Sequence, residues 1–123
     1  MKKDYSIKGR KLFLDVYRLG RKYQGQGVRV YIMKINPARL PEIFLTNRNH
    51  KIKIGIAINR RYGSAVMRNR AKRIIRSVCD EMIDEMKDGY LIIFRPDERF
   101  RDMSYSGIAY EIKNMLLKAG VIG

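Results

Sequence analysis

Residues 52 to 96 hold three successive segments that restrict the fold more than anything else in the chain. Ile52-Lys53-Ile54-Gly55-Ile56-Ala57-Ile58-Asn59 alternates strictly, so four isoleucines share one face of a strand. The spacing then becomes helical, with Met67, Ala71, Ile74 or Ile75, Val78, Met82 and Met86 along one side. Gly63 offers a turn and Ser64 an N-cap hydroxyl, so this helix opens at about Ala65; it ends near Lys87-Asp88-Gly89. Tyr90-Leu91-Ile92-Ile93-Phe94-Arg95 is an unbroken apolar run closed by Pro96, the pattern of a strand buried on both faces. Strand, helix and strand together predict a parallel crossover.

The helix also carries a charge pattern that solvation does not explain. Seven of residues 60–76 are Arg or Lys and none is acidic. Arg68, Lys72, Arg73 and Arg76 flank the apolar stripe, with Asn69 among them and Arg70 at the far edge; Arg60 and Arg61 stand just before. Carboxylates begin only at Asp80, followed by Glu81, Asp84 and Glu85. A solvated helix gains from opposite charges four residues apart. Its dipole favours acids at the start and bases at the end. Here both preferences are reversed, at about 0.3–1 kcal/mol per exposed charge. A polyanion bound along the basic half would offset that cost.

Composition agrees. Formal net charge is +15, from 27 Lys plus Arg against 12 Asp plus Glu, which predicts attraction to nucleic acid or an anionic membrane. The membrane reading lacks support, since no apolar run approaches about 18 residues and no hydrophobic signal segment follows the first lysines. A hydrophobic share of 46% can fold, and residues 1–123 suit one domain. The single Cys79 excludes an intramolecular disulfide and suits a reducing, cytoplasmic setting; its place by the apolar stripe makes it a core thiol.

Elsewhere the reading is coarser. Met1 to Lys8 is short, charged and expected to be loosely held. Gly9 or Arg10 to Leu19 has helical spacing, with Leu12, Val16 and Leu19 as core face, Phe13 and Tyr17 one position round, and Gly20 as C-terminal stop. Phe13 and Tyr17 either pack in the core or form an aromatic ledge. Arg21 to Gly27 reads as a loop. Val28 to Ile35 alternates, with Val28, Val30 and Ile32 opposite Arg29, Tyr31 and Met33. Residues 36–51 form a long connection in which Arg39 to Leu45 could make a turn of helix; the lone His50 there has no partner for metal or catalysis. Ser104 caps a last helix whose Ile108, Ile112, Met115, Leu116 and Ala119 face the core, and Gly120 stops it. The order is α-β-β-α-β-α. One further strand in the long connection would give about four strands and three helices, α-β-β-β-α-β-α, an α+β fold with a small mixed sheet.

The second face of the isoleucine strand offers Lys53, Gly55, Ala57 and Asn59, all small or polar, which predicts a trough on the sheet. With the first helix along one side, Phe13, Tyr17, Tyr31, Lys53 and Ala57 would make a groove with aromatic walls. Such a groove suits a single nucleic-acid strand, since a base stacked on an aromatic contributes about 1–3 kcal/mol.

Gly63-Ser64-Ala65-Val66-Met67-Arg68-Asn69-Arg70-Ala71-Lys72-Arg73, followed by Ile74-Ile75-Arg76, closely resembles the signature of the bacterial ribonuclease P protein subunit, an Arg-Asn-Arg core with a Lys-Arg pair behind it. The likeness extends to Phe13, Tyr17 and Gly20, to Tyr31, to Ile54–Ile58 and to Gly89–Pro96, about two thirds of the chain. Three departures stand out: Arg60-Arg61 replace the usual lysines, Ser64 replaces the usual asparagine, and Lys8-Gly9 lacks the family's Arg-Leu start. The resemblance implies a left-handed β-α-β crossover around the basic helix, as in the second domain of a small-subunit ribosomal protein. It implies a noncatalytic subunit of a ribonucleoprotein that hydrolyses precursor tRNA at the mature 5′ end. The chemistry would belong to the RNA subunit and its Mg²⁺, with no metal bound tightly by the protein and no protein partner required. Arg68, Asn69, Arg70, Lys72, Arg73 and Arg76, with Arg60 and Arg61, would meet the catalytic RNA, and the groove would hold the 5′ leader.

Two other classes compete. A metal nuclease would use Asp80, Asp84 and Asp88, which share one side of a continuous helix. A ribosomal or architectural binder of duplex nucleic acid would need the basic helix but no aromatic groove.

Overall fold

The continuous apolar run lies at the heart of the sheet. The structure is a computed structural model that describes residues 6–7, 9–35 and 52–123. Its elements are α1 (Arg10–Leu19), β1 (Arg21–Gln24), β2 (Val28–Lys34), β3 (Ile52–Ile56), α2 (Ala65–Met82), β4 (Tyr90–Pro96) and α3 (Tyr105–Lys118). Single 3₁₀ turns occupy Arg60–Tyr62, Ile83–Glu85 and Glu98–Asp102. The strand order is β1-β2-β4-β3, with β4 antiparallel to β2 and parallel to β3. This is the expected α+β architecture with four strands and three helices, and β3-α2-β4 is the expected parallel crossover.

The fourth strand comes from an unexpected place. Arg21–Gln24, read as loop, is strand β1, paired antiparallel with Ile32 to Arg29 of β2. The strand expected within 36–51, the helical turn there and His50 lie outside the described residues. Near the start of the chain, Ser6 forms a parallel bridge to Ile54 and the Ile7 N–H bonds the Ile54 carbonyl at 3.0 Å, extending the β3 edge.

Side chains of β4 alternate between two apolar layers, as its sequence predicts. Ile92 and Phe94 join Val28, Val30, Ile32, Ile52 and Ile54 under α2 and α3. Leu91 and Ile93 join Tyr31, Ile35 and Val16 under α1. Both helix caps form as predicted: Ser64 Oγ accepts from Met67 N at 3.2 Å, and Ser104 Oγ accepts from Gly107 N at 3.1 Å. Gly120, at φ 79°, stops α3 in the left-handed region that only glycine adopts freely. Behind it Val121 and Ile122, unassigned from sequence, are buried.

Two expectations about helix faces need correction, those for Leu19 and Met67, while Gly20 stops α1 as expected. Leu19 is 72% exposed; α1 packs through Val16 with Leu12, Phe13 and Tyr17, so its buried face is turned toward the aromatic pair. Gly20 ends α1 without a left-handed residue, at φ −68°. Glycine is needed there because a Cβ would stand 2.6 Å from the Val16 carbonyl and 3.2 Å from the Ile32 backbone. In α2, Met67 is 37% exposed and shields Gly63 rather than joining the core, while Cys79 is buried beside Ile75, Val78 and Met82. Burial pushes the Cys79 thiol far above its usual range, which leaves it a packing residue.

Candidate nucleic-acid interface

The basic edge of α2 stands open. Asn69, Arg70, Arg73 and Arg76 are exposed, and Val66, Asn69, Arg73 and Arg76 line one shallow open channel along the helix. Arg60 and Arg61 are exposed at the turn before it, where Asn59 Oδ1 accepts from Arg61 N at 3.0 Å and fixes the approach of the chain. Lys72 is half-buried. Arg68 is half-buried and directed backward, its Nη1 donating to the Gly63 carbonyl at 2.7 Å. It therefore braces the glycine turn as well as adding charge. Arg70 lies with Arg101 at the mouth of a small cleft over Tyr62, Phe100 and Met103. A salt bridge joins Arg99 to Asp97 at 3.3 Å, and Asp97 shares a cleft with Arg61.

The groove is narrower than the sequence suggests. Lys53, expected on its floor, is only 4% exposed. Over Gly55, a Cβ would stand 2.9 Å from Phe13 Cε2 and 3.3 Å from Ile7 Cδ1, so the missing side chain is what lets those two pack down. Phe13 thus plugs one end of the trough while remaining half-buried. Tyr31 is 1% exposed, and the half-buried Tyr17 ring lies over it with centroids 4.4 Å apart and planes 23° apart. Tyr17 is the aromatic face that a ligand would meet; Tyr31 supports it from below. Ala57 remains half-exposed just past β3, its N–H on the Phe94 carbonyl at 2.8 Å.

What stays open is the strip beyond the end of α1. Arg29 faces Arg95 directly across the β2–β4 ladder, and Gln24 faces Arg29 across β1–β2. Arg95 Nη1 donates a short hydrogen bond to the Tyr17 hydroxyl, and Arg29 Nη1 makes a long contact of 3.5 Å to the Tyr31 hydroxyl. Lys22 Nζ stands 5.9 Å from the Tyr31 ring centroid. Burial alone would raise the Tyr31 pKa, but hydrogen bonding from Tyr17, Arg29 and Arg95 prevails and lowers it from 10.0 to about 8. Arg95 lines two adjoining clefts, one with Gln24, Arg29 and Asp97, the other with Asn59, Arg61, Tyr62, Asp97 and Glu98. The open furrow therefore runs from Arg29 past Arg95 to the turn that opens α2.

Lys22, Arg29 and Arg95 were missed from sequence. Their signal was present but faint: Arg29 and Arg95 are polar residues at the ends of otherwise apolar strand faces, and only the ladder register shows them to be neighbours. The acidic alternative fares differently. α2 ends at Met82 and a 3₁₀ turn follows, so Asp80, Asp84 and Asp88 do not share one continuous helical side. No three His, Cys, Asp or Glu side chains among the described residues form a metal-ligating group. No helix among them is long and apolar enough to cross a membrane.

Nearly the whole chain has counterparts among known proteins. The family model described as Ribonuclease P matches residues 1–120. A ribonuclease P protein component of Clostridium botulinum is 32% identical over 120 residues, covering 97% of both chains. One from Symbiobacterium thermophilum is 29% identical over 122 residues, covering 99% of this chain and 96% of the relative. The fold is similar to that of the Staphylococcus aureus RNase P protein, with a TM-score of 0.77 at 24% identity over 97% of this chain and 98% of the other. The Thermotoga maritima RNase P protein superposes with a TM-score of 0.72 at 20% identity, covering 92% and 96%.

Proposed function

Since the chain belongs to the ribonuclease P protein family, we propose that it binds the catalytic RNA along the basic edge of α2 and the single-stranded 5′ leader of precursor tRNA in the adjoining furrow. The observation that carries this reading is the continuity of the two surfaces. The furrow past Arg29 and Arg95 opens onto Asn59 and Arg61, which lead straight into Arg68–Arg76. A backbone leaving the furrow would pass Arg95 and Arg61, with Asp97 and Glu98 on the cleft's other lining, and then meet the cations of α2. The protein's part is to hold and orient. Guanidinium and ammonium groups on α2 neutralise phosphates and release counterions, and the Tyr17 face offers a stacking platform for an unpaired base. Hydrolysis at the 5′ end belongs to the RNA subunit and its Mg²⁺, whose affinity the protein raises by lowering phosphate repulsion. A cytoplasmic site of action follows from that partnership.

Reconstitution tests it. Purified protein, the RNA subunit of the same source and a leader-bearing precursor are mixed at low Mg²⁺. Cleavage at the mature 5′ end should require the RNA and rise on addition of protein. Cleavage by protein without RNA, or an RNA activity that the protein leaves unchanged at every Mg²⁺ level, would contradict the proposal.

A further inference from the structure

Arg29 and Arg95 are an anomaly in an otherwise consistent sheet. Like charges directly opposed across a ladder destabilise it, yet no carboxylate among the described residues makes a salt bridge to either. Among the described residues, Asp97 stands at the rim of the same cleft and Glu98 lines the adjoining one. Asp97 is already engaged by the backbone N–H of Arg99 at 2.9 Å and by the Arg99 guanidinium at 3.3 Å. Neutral oxygens fix both guanidinium groups instead. Gln24 Oε1 accepts from Arg29 Nε at 2.8 Å, the Tyr31 hydroxyl lies 3.5 Å from Arg29 Nη1, and the Tyr17 hydroxyl accepts from Arg95 Nη1. Each guanidinium carries five N–H donors, and most donors of this pair find no partner among the described residues. Arg29 is exposed and Arg95 half-buried, in an open cleft.

The geometry points to Arg29 and Arg95 as a seat for one phosphodiester of the strand lying in the furrow, the two forks held in place by Gln24, Tyr17 and Tyr31. A phosphodiester has two non-bridging oxygens and one negative charge, which suits two neighbouring guanidinium groups that no carboxylate among the described residues bridges, Asp97 acting on Arg29 only through space. The seat adjoins the outer Tyr17 ring, with Arg95 Cζ 5.9 Å from its centroid. A base stacked on Tyr17 and the phosphate next to it could thus be gripped together. The seat rests on the reading that a single strand occupies the furrow, and it adds a fixed register: one linkage, not the strand's charge as a whole, is recognised.

The test uses the reconstituted holoenzyme and precursors carrying a single neutral methylphosphonate at successive leader linkages, with wild type, Arg29→Gln, Arg95→Gln and the double variant. In wild type one linkage should stand out, its neutralisation weakening binding about tenfold, within the range of a charged hydrogen-bonded contact. In the double variant the same substitution should cost nothing further, the non-additivity of groups that touch. Thermal melts of the variants establish that they fold. Independent, additive losses from linkage and variants would overturn the seat, as would a scan with no outstanding linkage while leader-bearing precursor still binds better than mature tRNA. If the wild-type holoenzyme makes no distinction between precursor and mature tRNA, the furrow reading itself fails, and the seat with it.

Discussion

A phenol held beneath another aromatic ring and beside two guanidinium groups does not titrate as it would in water. Tyr31 should lose its proton near pH 8 in the folded protein and near pH 10 when unfolded. Its phenolate is therefore favoured by folding, and the stability it contributes is present above about pH 10 and is lost as pH falls through about 8. Tyr17 shifts the other way, raised first by burial and then by its bond to Tyr31. A phenolate beneath Arg29 and Arg95 would compete with any phosphate for the same charge. The groups facing it are Tyr17 from α1, Lys22 from β1, Arg29 from β2 and Arg95 from β4, with Asp97 at the rim. Leader affinity should accordingly fall as pH rises through about 8, while Tyr31→Phe should abolish that fall. An ultraviolet tyrosinate titration checks the premise: the earliest-titrating tyrosine should vanish in Tyr31→Phe, and an unchanged curve would contradict it. Gly20 makes a second residue-scale prediction. Its Cβ position lies against backbone rather than a flexible side-chain tip, so Gly20→Ala should destabilise the protein by about 1–3 kcal/mol in urea unfolding.

At the scale of elements, α2 is set apart by what its first turns lack. It begins with no acid and a serine cap, and its exposed Asn69, Arg73 and Arg76 line one channel. Removing one cation that pairs with a phosphate should flatten the plot of log affinity against log salt by about 0.7–0.9. Arg73→Ala and Arg76→Ala should do this for the RNA subunit with little change in protein stability. Arg68→Ala should do it with a drop in stability as well, because its guanidinium also braces the Gly63 carbonyl. Equal slopes for wild type and all three variants would rule out the phosphate pairing. The start and cap of α2 were legible because Gly63-Ser64 and the 3.6-residue spacing are local signals. β1 was not: Arg21-Lys22-Tyr23-Gln24 is short and mostly polar, and it is a strand only because β2 supplies the ladder. The faces of α1 were misjudged for a similar reason. Leu19 completes a plausible stripe in isolation, yet Gly55 opens space on the sheet for Phe13, and that space decides the rotation.

Across the whole molecule, two surfaces become one path, and this join was the least legible part of the sequence. The basic helix announces itself in a run of seventeen residues. The furrow beside it is assembled from Tyr17, Gln24, Arg29, Arg95, Asn59 and Arg61, which come from five places in the chain and meet only through strand register. The expected floor at Lys53 is covered, so the open surface shifts to the end of the sheet that leads into α2. Tyr17 sits where stacking and charge coincide, and its replacement tests the account most directly. Affinity of the reconstituted holoenzyme should be measured for leader-bearing precursor and for mature tRNA at one fixed salt concentration, with wild type and Tyr17→Leu. Loss of one stacked base, about 1–3 kcal/mol, predicts roughly 5- to 150-fold weaker binding of the precursor and unchanged binding of mature tRNA. Equal weakening of both, or of neither, would contradict a furrow that holds the leader.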